Sequence, residues 1–329
     1  MQKRKLRYLT ADDVRRSLPM IDAIAAMREA FVHLSSRQAI VPQRIHTEIH
    51  EHSATALFMP VYLSYTGKIG LKFVTVSEDN PSRGLPLIHA TVLVADASSG
   101  VPLAVMDGSY LTALRTGAAS GLATDLLARP DARCAAIFGA GTQGRTQLEA
   151  VCAVRKIEHA FVIDIDHDRA QTFAREMSEY LSIEVDVVDV AEALRAADVI
   201  CTATTSAVPV FAHNQLKVGV HINGVGSYKP DQAEIPTDTI AGSKLVVDSK
   251  EGCLREAGDI ILPLNKGTIN EAHIHGEIGQ IVAGERPGRE SDTEITVFKS
   301  VGNAVQDLAA ADRVLARASE LGLGSEIEL

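Results

Sequence analysis

The chain has 329 residues, 46% of them hydrophobic and 22% charged. That balance excludes a disordered polymer and suits about two globular domains. Thirty-two Lys and Arg stand against 42 Asp and Glu, a net charge of −10 with no basic block, which disfavours a nucleic-acid partner. No apolar run reaches the roughly 18–20 residues that cross a bilayer, so no membrane association is expected.

The N-terminal stretch MQKRKLRYLTADDVRRSL is basic but lacks the apolar centre of an export signal, so secretion is not expected. Thr10, followed by Asp12 and Asp13, predicts a capped helix start. Ile21, Ile24, Ala25, Met27, Phe31 and Val32 then recur at helical spacing. From about Val41 to Val105 short alternating runs such as ALFMPVYL and IGLKFVTV, punctuated by Gly and Pro, predict a mostly antiparallel meander. Leu111 to Leu127 reads as a helix ended by Pro130. From Cys134 the texture changes: CAAIF, HAFVIDI, IEVDVVD, DVICTAT, GVHINGVG and KLVVDS read as apolar strands separated by helical or turn-rich pieces. This alternation predicts a parallel sheet covered on both faces. After Thr293 come a strand, a glycine turn and a long final helix, expected to pack back on the N-terminal part. The four cysteines, Cys134, Cys152, Cys201 and Cys253, form no CxxC pair. They read as buried thiols of a reducing cytoplasm, with no disulfide frame and no metal site.

The strongest local signal is Gly139, Gly141 and Gly144, directly after the strand AAIF and opening a helix. Gly139 permits the tight turn, Gly141 lets backbone approach a pyrophosphate, and Gly144 permits close helix–strand packing. The helix N-terminus adds free N–H groups and partial positive charge. Asp164 lies 20 residues after Gly144, at the end of the next strand, where an acid accepts the ribose hydroxyls. Its charge repels a 2′-phosphate and favours NAD, while His167 and Arg169 beside it leave NADP open. Thr202, Ala203, Thr204 and Thr205 end the strand DVIC, either at the ligand crevice or as a simple capped strand end.

Several segments together resemble the ornithine cyclodeaminase/mu-crystallin family: VPQRIH, FMPVYL, GLKFVTV, AVMDGSYLTALRTGAAS, GAGTQG, NGVGSYKPDQAEI, REAGDI and VFKSVGNAVQDLAAA. They run in order from roughly residue 8 to 325. The family includes NAD(P)-dependent enzymes that make or use α-imino acids, and a crystallin that binds thyroid hormone. The resemblance implies an α/β protein: a Rossmann-type doubly wound parallel sheet domain, residues 128–299, inside a discontinuous α+β substrate and dimerisation domain, residues 1–127 with 300–329. It also implies a homodimer.

Arg44, Lys72 and Arg115 match the family's clamp for the substrate carboxylate. An α-imino or α-amino acid needs its anion fixed while the adjacent carbon receives hydride; an Arg fork binds bidentately, and Lys adds a point charge and a proton. The plain alternative for each is a solvated cation. Arg115, read as near a helix start where the dipole does not favour a cation, is expected to meet an anion, substrate or phosphate. Met59 matches a pocket-lining position, or is simply core. The resemblance further implies cofactor contacts at Thr91, Arg115, Thr116, Thr142, Gln143, Val225, Gly226, Ser300 and Gly302; the plain reading of Ser300 is the N-cap of the final helix.

One departure bears on the reaction. The cyclodeaminases are expected to carry an aspartate two residues after Gly226, and here Tyr228 stands there. A neutral phenol cannot pair with an ammonium. An acid before Met59 and Pro60 is also replaced, by Leu57 and Phe58. Both losses favour reduction of a preformed imine over deamination of a diamino acid, with Asp231 as a substitute acid that keeps deamination open. The expected function is therefore NAD(P)H-dependent reduction of a small α-imino acid, such as 1-pyrroline-2-carboxylate, 1-piperideine-2-carboxylate or iminosuccinate, with Lys72 or a water as proton source. Ornithine cyclodeaminase, an alanine-type amino-acid dehydrogenase and a non-catalytic crystallin-like binder are the alternatives. His273 and His275 lack an evident third metal ligand, and Glu256 with Asp259 reads as a turn.

Overall fold

A computed structural model describes residues 5–328, the side chain of Pro81 excepted. Contacts divide them into two compact units, residues 5–115 with 303–328, and residues 116–302.

In the first unit, the strands Ala54–Leu63, Lys68–Ser77, Ile88–Asp96 and Pro102–Asp107 form the expected antiparallel meander. Lys5–Leu9 adds in parallel beside Pro102–Asp107, and Ala39–Ile40 and Ile45–Ile49 both pair with Ala54–Leu63. The period-2 pattern sorts the faces: Gly70, Lys72 and Val74 point inward while Ile69 and Phe73 point out. The inner face is covered by the helix Ala304–Leu321, which also packs on the helix Met20–Ser35. Gly70 gives the helix room there: a Cβ would lie 2.9 Å from the Leu308 side chain, which would have to shift. Thr10 caps the helix Ala11–Ser17 in a reciprocal box with Asp13. The final helix is capped by Asn303 with Gln306, not by Ser300: the chain turns helical only after the left-handed Gly302. A last strand, Ser325–Glu328, was not legible; Gly322 and Gly324, both at positive φ, turn the chain back so that it pairs with Lys5–Leu9.

The outer face is apolar and open. Phe58 and Phe73 are cross-strand partners with ring centroids 5.1 Å apart, and Ile45 lies opposite Phe58. Ile45, Ile69 and both rings are exposed.

The helix Gly108–Leu127 begins one turn before the expected Leu111, because Asp107 accepts the Tyr110 N–H (2.7 Å) and caps it. Arg115 is therefore about two turns inside the helix rather than at its start. The division between units falls within this helix, after Arg115.

The second unit is an eight-stranded sheet, parallel throughout. Its spatial order is Glu184–Val187, His159–Ile163, Cys134–Phe138, Val199–Thr202, His221–Gly224, Thr296–Lys299, Lys244–Val247 and Ile274–Glu277. The strands are buried apolar runs because helices cover both faces, as the alternation predicted. The order reverses between Cys134–Phe138 and Val199–Thr202, the switch point at which such sheets hold ligands. All four cysteines are free; Cys201 and Cys253 are buried, whereas Cys134 and Cys152 are half-buried, at a strand start and on a helix flank. Among the described residues, no helix is long and apolar enough to cross a membrane.

Candidate active site

The glycine turn lies at the switch point. Gly139 has φ +102 and packs on the Ala203 carbonyl, so no side chain fits. Gly141 caps the helix Thr142–Val154 and faces open space, leaving the backbone approachable. A Cβ at Gly144 would fall on the Gly139 carbonyl oxygen. Thr142 and Gln143 form the first turn of the helix beyond it. Relieving such an overlap costs about 1–3 kcal/mol. Gly144→Ala is therefore expected to weaken NADH binding about tenfold or more in a fluorescence titration; an unchanged affinity would remove the turn from the cofactor site.

Asp164 closes the turn. Its Oδ2 accepts the Ala140 N–H (2.7 Å), and its Oδ1 accepts the Asp166 N–H (2.9 Å) and Arg169 Nη2 (2.7 Å). Burial opposes its charge, yet the Arg169 and backbone donors outweigh burial and hold the carboxyl below its ordinary value. Asp164, Arg169, Gly139, Gly141, Ala203 and Thr204 all line one cavity of about 530 Å³. The donor set fits the pyrophosphate and ribose of a dinucleotide: exposed turn amides beside an ionised acid. Ala203, Thr204 and Thr205 thus line the crevice, whereas Thr202 is fully buried at the strand end.

Behind this cavity a charged network ties loops together. Glu234, buried, accepts from Thr204 N–H and Oγ1 (both 2.7 Å), from Thr202 Oγ1 (3.1 Å) and from Ser227 N–H (3.0 Å). Burial raises its carboxyl above the ordinary range against the pull of Lys299. Lys299 Nζ donates to the Ser227 carbonyl (2.6 Å) and lies 2.7 Å from Asp259 Oδ2, both side chains fully buried. Asp259 Oδ1 in turn accepts the Glu234 and Ile235 N–H groups. The Val225 and Gly226 N–H groups both reach the Thr202 carbonyl (3.0 and 3.1 Å). Asp248 gathers the next loop, accepting from Ser300 Oγ (2.7 Å), Val301 N–H (3.1 Å) and Gly302 N–H (2.9 Å). Glu256 and Asp259 are not a simple turn: they end one helix and start the next, Gly258–Asn265, with Asp259 as the buried partner of Lys299.

In the first unit, Lys72 and Arg115 meet at a residue that sequence reading did not single out. Asp307 Oδ1 accepts Arg115 Nε (2.9 Å), and Oδ2 lies 2.8 Å from Lys72 Nζ. Arg115 Nη1 also donates to Gln306 Oε1 (3.0 Å). All are buried. One anion that meets Arg115 is thus a side chain of the protein's own. Burial pushes the Lys72 ammonium down to about 8; Asp307 opposes this, while Arg115 and Arg44 add to it. For Asp307, burial opposes the charge, but Arg115 and Lys72 outweigh it and hold the carboxyl below its ordinary value. Arg44, half-buried just before Ile45–Ile49, is felt electrostatically at Lys72. Met59, buried, is the cross-strand neighbour of Lys72. Thr91 lies on Ile88–Asp96 opposite Phe73 and Asp107, and Thr116 is buried in its helix.

Tyr228 and Asp231 are exposed in the loop after His221–Gly224; the buried acid of that loop is Glu234. His273 and His275 each contact a separate backbone carbonyl, of Ile240 (2.7 Å) and Pro287 (2.9 Å). Asp307 had a weak signal, an acid one turn into a capped amphipathic helix, where the dipole alone explains it. Glu234, Asp259 and Asp248 had none, since buried acids look like surface acids in a sequence.

A dinucleotide-type α/β unit together with a unit carrying a buried cation–carboxylate cluster defines a class of cofactor-dependent enzymes acting on small anions. The ornithine cyclodeaminase/mu-crystallin family model matches residues 4–322, and the chain belongs to that family. It is 41% identical to a Delta(1)-pyrroline-2-carboxylate reductase of Bacillus cereus, over 97% of this chain and 99% of that protein. Among solved structures it resembles Thermococcus litoralis Delta(1)-pyrroline-2-carboxylate reductase in complex with NADH and L-proline, with TM-score 0.95 and 44% identity over 98% and 100% of the two chains. An archaeal alanine dehydrogenase dimer with bound NAD has TM-score 0.92 and 35% identity, over 99% of each chain.

Proposed function

We propose that the chain is an NAD(H)-dependent reductase that converts a small α-imino acid of the 1-pyrroline-2-carboxylate kind to the amino acid, working as a cytoplasmic homodimer. The observation that carries this reading is the buried cluster in which two cations, Lys72 and Arg115, share one carboxylate, Asp307. A buried excess of positive charge is costly unless a ligand anion completes it, and an imino acid supplies such an anion next to its reactive carbon.

The turn Gly139–Gly144 and Asp164 would hold the pyrophosphate and ribose of the dinucleotide, which when bound supplies hydride to the carbon of the C=N bond. Arg44 and Arg115 fix the substrate carboxylate and so orient that carbon. Lys72, lowered to about 8, still carries its proton at neutral pH and gives it up readily. Its Nζ proton passes to the imine nitrogen, and solvent restores it. One NADH and one proton are consumed, giving NAD+ and the amino acid. Met59, buried opposite Lys72 on the neighbouring strand, gives it an apolar neighbour. Tyr228, standing where a deaminase would hold a carboxylate, supports reduction over deamination.

The dimer reading rests on the open apolar face of Ile45, Phe58, Ile69 and Phe73, and on the neighbour described as a dimer. The cytoplasmic reading rests on four free cysteines.

The test is NADH oxidation with cyclic and linear α-imino acids, with ornithine assayed in parallel for ammonia. Oxidation driven by 1-pyrroline-2-carboxylate with silent ornithine is expected; ammonia and proline from ornithine would overturn the reading. The likeness to alanine dehydrogenase favours a second reading, for which alanine-dependent NADH formation is the readout.

A further inference from the structure

We propose that Asp307 is the positioning residue of the substrate clamp: its one carboxylate holds Lys72 and Arg115 together and governs how readily Lys72 releases its proton. This rests on the reductase reading for its chemistry, but its geometry stands apart from it. The two oxygens are divided, Oδ1 taking the Arg115 Nε–H at 2.9 Å and Oδ2 facing Lys72 Nζ at 2.8 Å. The Arg115 contact is an aligned hydrogen bond, and the Lys72 contact is a buried ion pair that also hydrogen-bonds and favours the ammonium. Arg115 is thus pinned, the more so because Gln306 Oε1 accepts its Nη1 (3.0 Å) while also accepting the Asn303 N–H (2.7 Å) that caps the helix. Lys72 is held at Asp307 by charge and hydrogen bonding together, without a second acceptor of the kind that pins Arg115 among the contacts described.

The groups around Lys72 leave this role to Asp307. The helix Ala304–Leu321 presents Asp307, the helix Gly108–Leu127 presents Arg115, and the segment before Ile45–Ile49 presents Arg44. The flanking strands present Met59 and Val92, neither of which titrates. Burial, Arg115 and Arg44 all favour the neutral amine; Asp307 is the group named at this site that favours the ammonium. Without it burial, Arg115 and Arg44 all act in one direction, and Lys72 loses its proton at lower pH. Arg115 at the same time loses its aligned acceptor, so the substrate carboxylate meets a less ordered fork.

The experiment compares wild type, Asp307→Asn and Asp307→Glu by two readouts. The first follows the protonation of Lys72 directly, by carbon NMR of lysine labelled at Cε, with the signal assigned through Lys72→Ala. The Asn variant is expected to lower the Lys72 midpoint by about one to three pH units, the effect of one adjacent opposite charge, and Glu to return it toward wild type. The second is the rate–pH profile with the imino acid. Its high-pH limb is expected to move down by the same amount in Asn, with KM for the imino acid raised and NADH affinity unchanged. A purely structural role would lower the rate at every pH without moving the limb. If Asn does not fold, Asp307→Ser removes the same charge and carries the same expectation. An unmoved NMR midpoint overturns the proposal. A shifted midpoint in a protein that turns over no imino acid upholds it and overturns the reductase reading instead.

Discussion

Lys72→Ala is expected to lower imino-acid turnover by about 10²–10⁴-fold, the range for loss of a positioned proton donor, with NADH affinity unchanged. The side chain is buried on Lys68–Ser77 and fixed by its strand rather than by a loop. Its removal leaves Asp307 and Arg115 as a one-to-one pair, so no buried carboxylate is stranded and the variant should fold. In wild type the rate should fall as pH rises through about 8, because the donor must be protonated and burial has brought Lys72 down to that value. In the variant that limb should disappear. Steady-state kinetics across pH checks both points; unchanged turnover, or a surviving limb, would transfer the proton donation to water.

The largest effect on stability is expected from Lys299→Met. Lys299 is fully buried between the Ser227 carbonyl and Asp259, with Glu234 close enough to act on its charge. A methionine keeps the volume and removes the only cation named in this network. Asp259 would then be a buried anion without a counter-charge, a loss of about 3–5 kcal/mol. For a unit of this size that corresponds to a fall in melting temperature of roughly 10 °C or more. Glu234→Gln should be milder, since burial already favours the neutral form of Glu234 and the amide oxygen can still accept from Thr204. A Lys299→Met protein melting within about a degree of wild type would mean that the pair adds nothing beyond its packing.

The chain's own pattern determined the two textures, the meander before Val105 and the strand–helix alternation after Cys134, because period-2 and period-3.6 burial are written directly into residue order. It also determined the glycine turn with Asp164, whose spacing is local and whose glycines each answer a nearby backbone demand. Lys72 was legible for a similar reason: a charge inside an apolar strand conflicts with its neighbours. The family resemblance named Arg44 and Arg115 but not what they touch.

Tertiary structure alone decided the rest. Arg115 and Asp307 are far apart in the chain, and Lys299 meets Asp259 and Ser227 through strands that are neighbours only in the folded sheet. The return strand Ser325–Glu328 exists because Lys5–Leu9 offers an open edge. Contacts between distant residues leave no periodic trace, and an acid's surroundings, not its position in the chain, decide whether it caps a helix at the surface or balances two buried cations.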